Sequence, residues 1–304
     1  MKTFLPFLFL GLSLSAQAET VWYPLPDEAY AFGHKYPEAQ GLLYAFDYGH
    51  ALLYEELLLN RGKIADPAAF EKALLARIMK ILKNPPTVKP SENDIAPNYT
   101  FTMPLIINMF DWSHDLHQFV YDVMVTAPDR GPQMQKRVAQ IFEKYGSIPN
   151  IAFTPVCKTM LYMDGHPFSK AFRRTFPSLN LLIWSYHWLQ IRLYEDLMAP
   201  TEAARDKGVA GTLKKFWNMV SDLPDSADMD DMPMSPETAP SFSAALPYLP
   251  GSFDNLHMLH DVISDILVTD RIPFDQIGPQ SSIYARMGED PNAYRASACP
   301  YHSP

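Results

Sequence analysis

Four stretches of the chain repeat apolar residues every three or four positions, the spacing that places side chains on one face of an α-helix. They cover residues 38–60, 104–127, 179–198 and 252–269. Two further helical patterns follow the first and third stretches, and proline-rich segments separate the others. The pattern therefore predicts an all-α fold in which the helices form a bundle.

The second and fourth helices carry the same motif, FDxxHxxH. Its first copy spans Phe110–His117 and its second spans Phe253–His260, 143 residues later. The first and third helices carry matching segments, Leu53–Leu58 and Leu193–Met198, 140 residues apart. Because chance matches would not keep the same order and spacing, we predict an internally duplicated bundle with two helix–helix–loop–helix halves.

The start of the chain has the composition of a secretory signal. Lys2 supplies the charge, Phe4–Leu14 the apolar stretch and Ala16–Ala18 a small-residue cleavage site. We therefore expect a periplasmic or secreted protein, and no later apolar run reaches the roughly 20 residues of a membrane span. The predicted divisions are a signal peptide at 1–18, an irregular N-terminal arm at 19–37, a first helical repeat at 38–128, a crossover at 129–176, a second helical repeat at 177–270 and an irregular C-terminal tail at 271–304.

Charge and cysteine content narrow the possible partners. The net charge of −9 argues against a nucleic-acid partner, since an acidic protein is repelled by phosphates. A metal ion or a small-molecule substrate stays compatible with it. Cys157 and Cys299 are the two cysteines, and in an oxidising compartment they predict a disulfide, with two free thiols as the alternative. Nothing in the sequence indicates the oligomeric state.

The repeated helices offer metal ligands. Residues three apart on a helix share a face, so Asp111 with His114, and Asp254 with His257, can offer oxygen and nitrogen to one metal. The two LYE(E/D)L segments add one glutamate each. The predicted ligands are Glu55, Asp111, His114, His117, Glu195, Asp254, His257 and His260.

The order Glu, DxxH, Glu, DxxH resembles that of the ferritin-like di-metal carboxylate proteins, which use Glu-x-x-His. The resemblance covers the four helices and implies a di-iron or iron/manganese centre, with zinc or copper also compatible with the nitrogen ligands. The aspartate at both DxxH sites departs from the family pattern. Residues that could orient a ligand or replace one are His50, His187, Asp47, Asp261, Tyr54 and Tyr194, with Asp122 and Asp265 also able to orient an imidazole.

Three functions fit these observations. The first is an exported metal-dependent oxidase or oxygenase acting on an unidentified small molecule. The second is a periplasmic metal-binding or metal-delivery protein, since Gly49-His50-Ala51 is similar to the histidine motif of the imelysin-like iron-binding proteins. The third is a metal-free structural or interaction module, in which the aspartates cap helices and the histidines pack in the core.

Overall fold

The computed structural model describes residues 29–156, 165–221, 223 and 234–287. Within these ranges the chain forms 14 α-helices, one short 3-10 helix and no strand, which confirms the predicted all-α class. In chain order the α-helices are α1 (Ala31–Lys35), α2 (Pro37–Leu59), α3 (Pro67–Lys83), α4 (Glu92–Ile95), α5 (Pro97–Thr102), α6 (Pro104–Thr126), α7 (Pro132–Gly146), α8 (Ala171–Thr175), α9 (Pro177–Leu197), α10 (Glu202–Ser221), α11 (Ser235–Thr238), α12 (Pro240–Ala245), α13 (Leu249–Val268) and α14 (Ile277–Met287).

The four long helices of the bundle are α2, α6, α9 and α13. Pro37, Pro104 and Pro177 occupy the first helical position of α2, α6 and α9. Proline suits this position because its φ is already helical and its missing N–H would have no partner within the helix. The predicted boundaries of all four helices lie within three residues of the observed ones.

Helix α13 lies inside the bundle, and every residue from Leu249 to Leu267 is buried. It packs against α2, α6, α8 and α14. A helix buried on all sides is usually apolar throughout, yet this one carries Asp254, His257 and His260. Because burying a polar group without a partner costs free energy, these side chains need partners inside the protein.

The order of helices in residues 31–126 is the same as in residues 171–268. Each segment runs as a five-residue helix, a long helix, a third helix, two short helices and a second long helix. The pairs are α1 and α8, α2 and α9, α3 and α10, α4 and α11, α5 and α12, and α6 and α13. This matching order is what a duplicated chain requires, and the duplication itself stays a prediction.

Short helices replace several segments that were expected to be irregular. The arm contains α1, the C-terminal tail contains α14, and the proline-rich connection at 85–102 contains α4 and α5. Pro97 begins α5 instead of breaking a helix, and Ala96 and Tyr99 beside it are fully buried. Pro97 therefore marks a helix start, and this end of the connection is part of the core and not only a surface loop.

Several predictions fall on residues that the structure does not describe. These include the signal peptide at 1–18 and both cysteines of the expected disulfide, Cys157 and Cys299. No helix in the described part of the chain is long and apolar enough to cross a bilayer.

Candidate functional site

Six buried histidines meet where the four long helices pack together. Each long helix contributes two polar residues three positions apart, which places them on one face about a turn from each other. The pairs are Asp47 and His50 on α2, His114 and His117 on α6, His187 and Gln190 on α9, and His257 and His260 on α13. We call the six imidazoles, all at most 8% exposed, the histidine cluster: His50, His114, His117, His187, His257 and His260.

The rings of the cluster form one connected set of neighbours. His187 and His257 are stacked with ring centroids 4.1 Å apart, and His260 lies 4.7 Å from His50 and 4.9 Å from His187. The centroids of His114 and His260 are 5.9 Å apart, and those of His117 and His257 are 5.8 Å apart. Both halves of the chain therefore contribute to a single site.

The six Nε2 atoms of the cluster share one property: all are buried, and none has a hydrogen-bond partner among the described residues. Nδ1 also has no partner in His50 and His187. His114 Nδ1 lies 3.2 Å from Asp47 Oδ1 but is not aligned for a hydrogen bond. Because a buried polar atom without a partner costs about 1–3 kcal/mol, six of them in one place require an explanation.

Burial keeps these imidazoles neutral. It lowers the pKa of His50 and of His257 to about 3, and it moves the pKa of the other four rings well below the ordinary value in the same way. Repulsion between neighbouring rings adds to the shift of His114, His117, His187 and His260. Neutral imidazole is the form that binds a metal ion, so the environment already favours the ligand state.

Tyrosine contacts around the cluster occur twice, at matching positions. The hydroxyl of Tyr54 donates to the carbonyl of His260 at 3.1 Å, and that of Tyr194 contacts the carbonyl of His117 at 3.3 Å. Tyr194 Oη also lies 2.8 Å from His117 Nδ1. Both tyrosines were predicted to orient a ligand, and each holds the backbone of a cluster histidine in the other half of the chain.

Aromatic stacking on the cluster is repeated in the same way. The ring of His260 stacks on Phe110 at 4.2 Å, and the ring of His117 stacks on Phe253 at 3.9 Å. These phenylalanines open the two FDxxHxxH motifs, so each motif supplies a histidine and the aromatic ring that packs on the other motif's histidine.

The two predicted glutamate ligands lie outside the cluster. Both oxygens of Glu55 accept from α5, at 2.8 Å from Tyr99 N and 2.5 Å from Asn98 Nδ2. Glu195 likewise accepts from Ser241 N at 2.9 Å and Phe242 N at 3.2 Å at the start of α12. Both carboxylates satisfy N–H groups at a helix N-terminus, which have no partner within their own helix.

The predicted aspartate ligands also bind elsewhere. Asp111 is partly exposed, with Oδ1 3.6 Å from Lys89 Nζ. Asp254 is buried and accepts from the N–H and hydroxyl of Ser235 at 3.0 and 2.6 Å, while burial raises its pKa to about 7. The structure thus separates the DxxH pairs and brings the HxxH pairs together.

The remaining predicted aspartates have different surroundings. Asp122 accepts from Phe32 N at 3.0 Å and Asp265 from Phe172 N at 2.7 Å, so each fixes one of the short helices, α1 and α8. Asp261 is buried near Tyr54. Asp47 is the one predicted carboxylate that lies beside a cluster histidine.

A polar cavity of about 260 Å³ reaches two members of the cluster. His114, His117 and Gln190 line it on the inside, together with Asp47, Lys89 and Asp115. Lys89 Nζ lies 3.3 Å from Asp115 Oδ1. Burial alone would lower the pKa of Lys89, but the carboxylates of Asp115, Asp47 and Asp111 together raise it, so the lysine stays charged.

The described residues contain no ready-made metal site of three or more histidine, cysteine, aspartate or glutamate side chains. The stacked rings show one reason, since two parallel imidazoles such as His187 and His257 do not aim nitrogens at a common point. The rings of His114 and His260, and those of His117 and His257, are also close to parallel, at 20° and 13°, but their centroids are farther apart. Two imidazoles bound to one ion at about 2.0–2.1 Å have centroids roughly 5–6 Å apart, which is the separation found for His114–His260 and His117–His257.

Two histidines of the cluster were not among the eight ligands predicted from the sequence. His50 and His187 complete the cluster, although the sequence indicated them only as residues that could orient a ligand or replace one. Gln190, at the position equivalent to His50, was not predicted at all. The available signal was a polar pair three residues apart on each long helix, which includes Asp47 with His50 and His187 with Gln190.

No protein-family model, curated protein or solved structure matches this chain.

Proposed function

We propose that this protein is an exported transition-metal-binding protein whose metal centre is the histidine cluster. The observation that supports this proposal is the set of six buried Nε2 atoms without hydrogen-bond partners. A structural role would leave these atoms unsatisfied, because imidazoles that only pack in a core normally hydrogen-bond through their nitrogens. A metal ion would give them a partner that the described protein groups do not.

The ligand types favour particular metals. Six imidazoles and one carboxylate, Asp47, suit iron, zinc, copper or nickel, and they do not suit calcium or magnesium, which prefer oxygen. A carboxylate-bridged di-iron centre is less suited, since Glu55, Glu195 and Asp254 are hydrogen-bonded elsewhere. An iron or iron/manganese centre at this site would therefore be rich in nitrogen ligands. The two HxxH pairs would hold it, with His50 and His187 completing the set.

The test is the metal content of purified protein, measured by inductively coupled plasma mass spectrometry before and after chelation and reloading. His187→Gln and His257→Gln should each abolish stoichiometric binding or weaken it by tenfold or more, as expected for loss of a ligand. His166→Gln is the matched control, because His166 is also buried but lies beside Asp265 and outside the cluster. Equal metal content in all variants would contradict the proposal.

A second candidate function is the oxidation of a small molecule at the same metal. The cavity favours it, because a pocket of about 260 Å³ lined by Lys89, Asp47 and Gln190 gives a small polar substrate access to His114 and His117. The bound metal would supply the redox chemistry, and Lys89 would bind and orient an acidic or carbonyl group of the substrate.

Enzyme and carrier differ in two measurements on the iron-loaded protein. An oxidase should show a change in visible absorption when it is reduced and then exposed to oxygen, with oxygen consumed when substrate is added. A metal-delivery protein should instead release its metal to a competing chelator within minutes. Stable retention without any reaction with oxygen would argue against both roles and in favour of a structural metal.

A further inference from the structure

A second cavity lies at the end of α2, well away from the histidine cluster. Arg61 lies two residues beyond the end of α2, and His50 lies nine positions before that end, about 14 Å along the helix axis. Gly62 has a φ of 68°, the left-handed conformation that glycine adopts without strain, so the chain turns away immediately after Arg61. The cavity, of about 550 Å³, lies between this turn, the segment 167–176 and the end of α13.

The charged residues around this cavity are mainly arginines. Arg61, Arg174 and Arg271 line it, and Asp270 is the one acidic residue among its lining side chains. The lining therefore has two net positive charges in a chain whose net charge is −9. Leu57, Ile64 and Phe176 add apolar surface to the same cavity.

The guanidinium of Arg61 has donors that are not used. Its Nε and Nη2 atoms are buried and have no hydrogen-bond partner among the described residues. These two atoms form the side edge of the guanidinium, the edge that donates two parallel hydrogen bonds to a carboxylate or phosphate. Burial lowers the pKa of Arg61, and the nearby charge of Asp270 partly offsets this shift. Arg61 nevertheless stays charged at neutral pH, as arginines in proteins do.

Other arginines at helix ends are paired. Arg130, which follows α6, donates from Nη1 to the carbonyl of Met124 and from Nη2 to that of Ala127. Arg286 on α14 donates to the carbonyls of Pro149, Asn150 and Ala152. Capping a helix C-terminus is the usual structural use of such a side chain. Arg61 borders the cavity instead, with its bidentate edge unused.

We propose that this arginine cavity binds a small organic anion, whose carboxylate or phosphate group accepts two hydrogen bonds from Arg61. Arg174 and Arg271 attract the anion and contribute charge, while the apolar lining packs against its carbon skeleton. A rotation of the guanidinium about the Cδ–Nε bond presents its side edge to the cavity. The site is independent of the metal proposed for the histidine cluster.

Calorimetric titrations with inorganic phosphate and, separately, with succinate test the site in the full-length protein, with sodium chloride at equal ionic strength as the blank. Binding of one probe and not the other decides between phosphate and carboxylate. Arg61→Gln should lower the affinity for the probe by about tenfold or more, because it removes both charge-assisted hydrogen bonds. Arg61→Lys keeps the charge but cannot donate two parallel hydrogen bonds, so it should also bind the probe more weakly than the wild type.

Arg77→Gln is the matched control, since it removes the same charge from a surface residue that is paired with Glu56. It should bind the probe with wild-type affinity. If Arg61→Gln does not fold, the double variant Arg174→Gln/Arg271→Gln, which changes two exposed residues, should weaken binding severalfold. The proposal is overturned if neither probe binds above the chloride blank, or if Arg77→Gln weakens binding as much as the cavity variants do.

Discussion

At the scale of single residues, carboxylates and imidazoles have separate tasks in this protein. Glu55, Glu195 and Asp265 each accept backbone N–H groups at the start of a short helix. The cluster imidazoles, by contrast, bury nitrogens that no described group satisfies. The residues that were grouped as one ligand set from the sequence therefore divide into helix-capping carboxylates and candidate ligands.

Glu55→Ala tests this division. The variant leaves Tyr99 N and the side chain of Asn98 without their acceptor, so the free energy of unfolding should fall by about 1–3 kcal/mol. Metal content per folded molecule should stay at the wild-type value. Urea unfolding and mass spectrometry measure the two quantities, and Glu195→Ala should behave in the same way at α12. Loss of metal from a stably folded Glu55→Ala protein would return this glutamate to the ligand set.

At the scale of helices, the four long ones could be predicted because their apolar periodicity is sustained over about 20 residues. The short helices α4, α5, α11 and α12 could not, since four to six residues carry too little periodicity to separate them from a proline-rich loop. The cluster contains four of the eight predicted ligands, His114, His117, His257 and His260, and the aspartates of the DxxH pairs lie one helical step away from it. Asp111, His114 and His117 each differ by about 60° around the helix, so spacing alone does not decide which adjacent pair faces the core.

Two helical glycines differ in how closely neighbouring atoms approach them. A Cβ on Gly251 in α13 would lie 2.3 Å from the carbonyl oxygen of Pro155, whereas a Cβ on Gly211 in α10 would meet nothing within 4 Å. Gly251→Ala should therefore destabilise the protein by roughly 1–3 kcal/mol, because backbone atoms must move. Gly211→Ala should stabilise it by about 0.5–1 kcal/mol through helix propensity. Thermal unfolding of the two variants gives the comparison, and a destabilised Gly211→Ala would refute this account of α10.

At the scale of the whole molecule, the buried histidines connect stability to pH. Each imidazole has a pKa near 6.5 when unfolded and a lower pKa when folded, about 3 for His50 and His257. The unfolded chain therefore binds more protons below about pH 6.5, and stability falls as the pH falls from there towards 3. Asp254, whose pKa is raised to about 7, has the opposite effect, since its contribution is lost as the pH rises through 7.

We expect acid unfolding of the metal-free protein well above pH 3. Six titrating groups can lower the free energy of unfolding by up to about 8 kcal/mol for each pH unit. The whole free energy of unfolding of a domain is typically only about 5–15 kcal/mol. Circular dichroism against pH measures the midpoint. Bound metal should move it to lower pH, because protons and metal compete for the same nitrogens. A midpoint at or below pH 3 would show that the rings do not titrate on unfolding.

The six unsatisfied Nε2 atoms have one further consequence, which concerns turnover in the cell. If metal is their partner, then the protein without metal is the less stable form and visits unfolded states more often. Proteases remove chains from those states, so unloaded molecules would be degraded first and loaded molecules would accumulate. The abundance of this protein would then follow the metal supply of its compartment without any change in its synthesis.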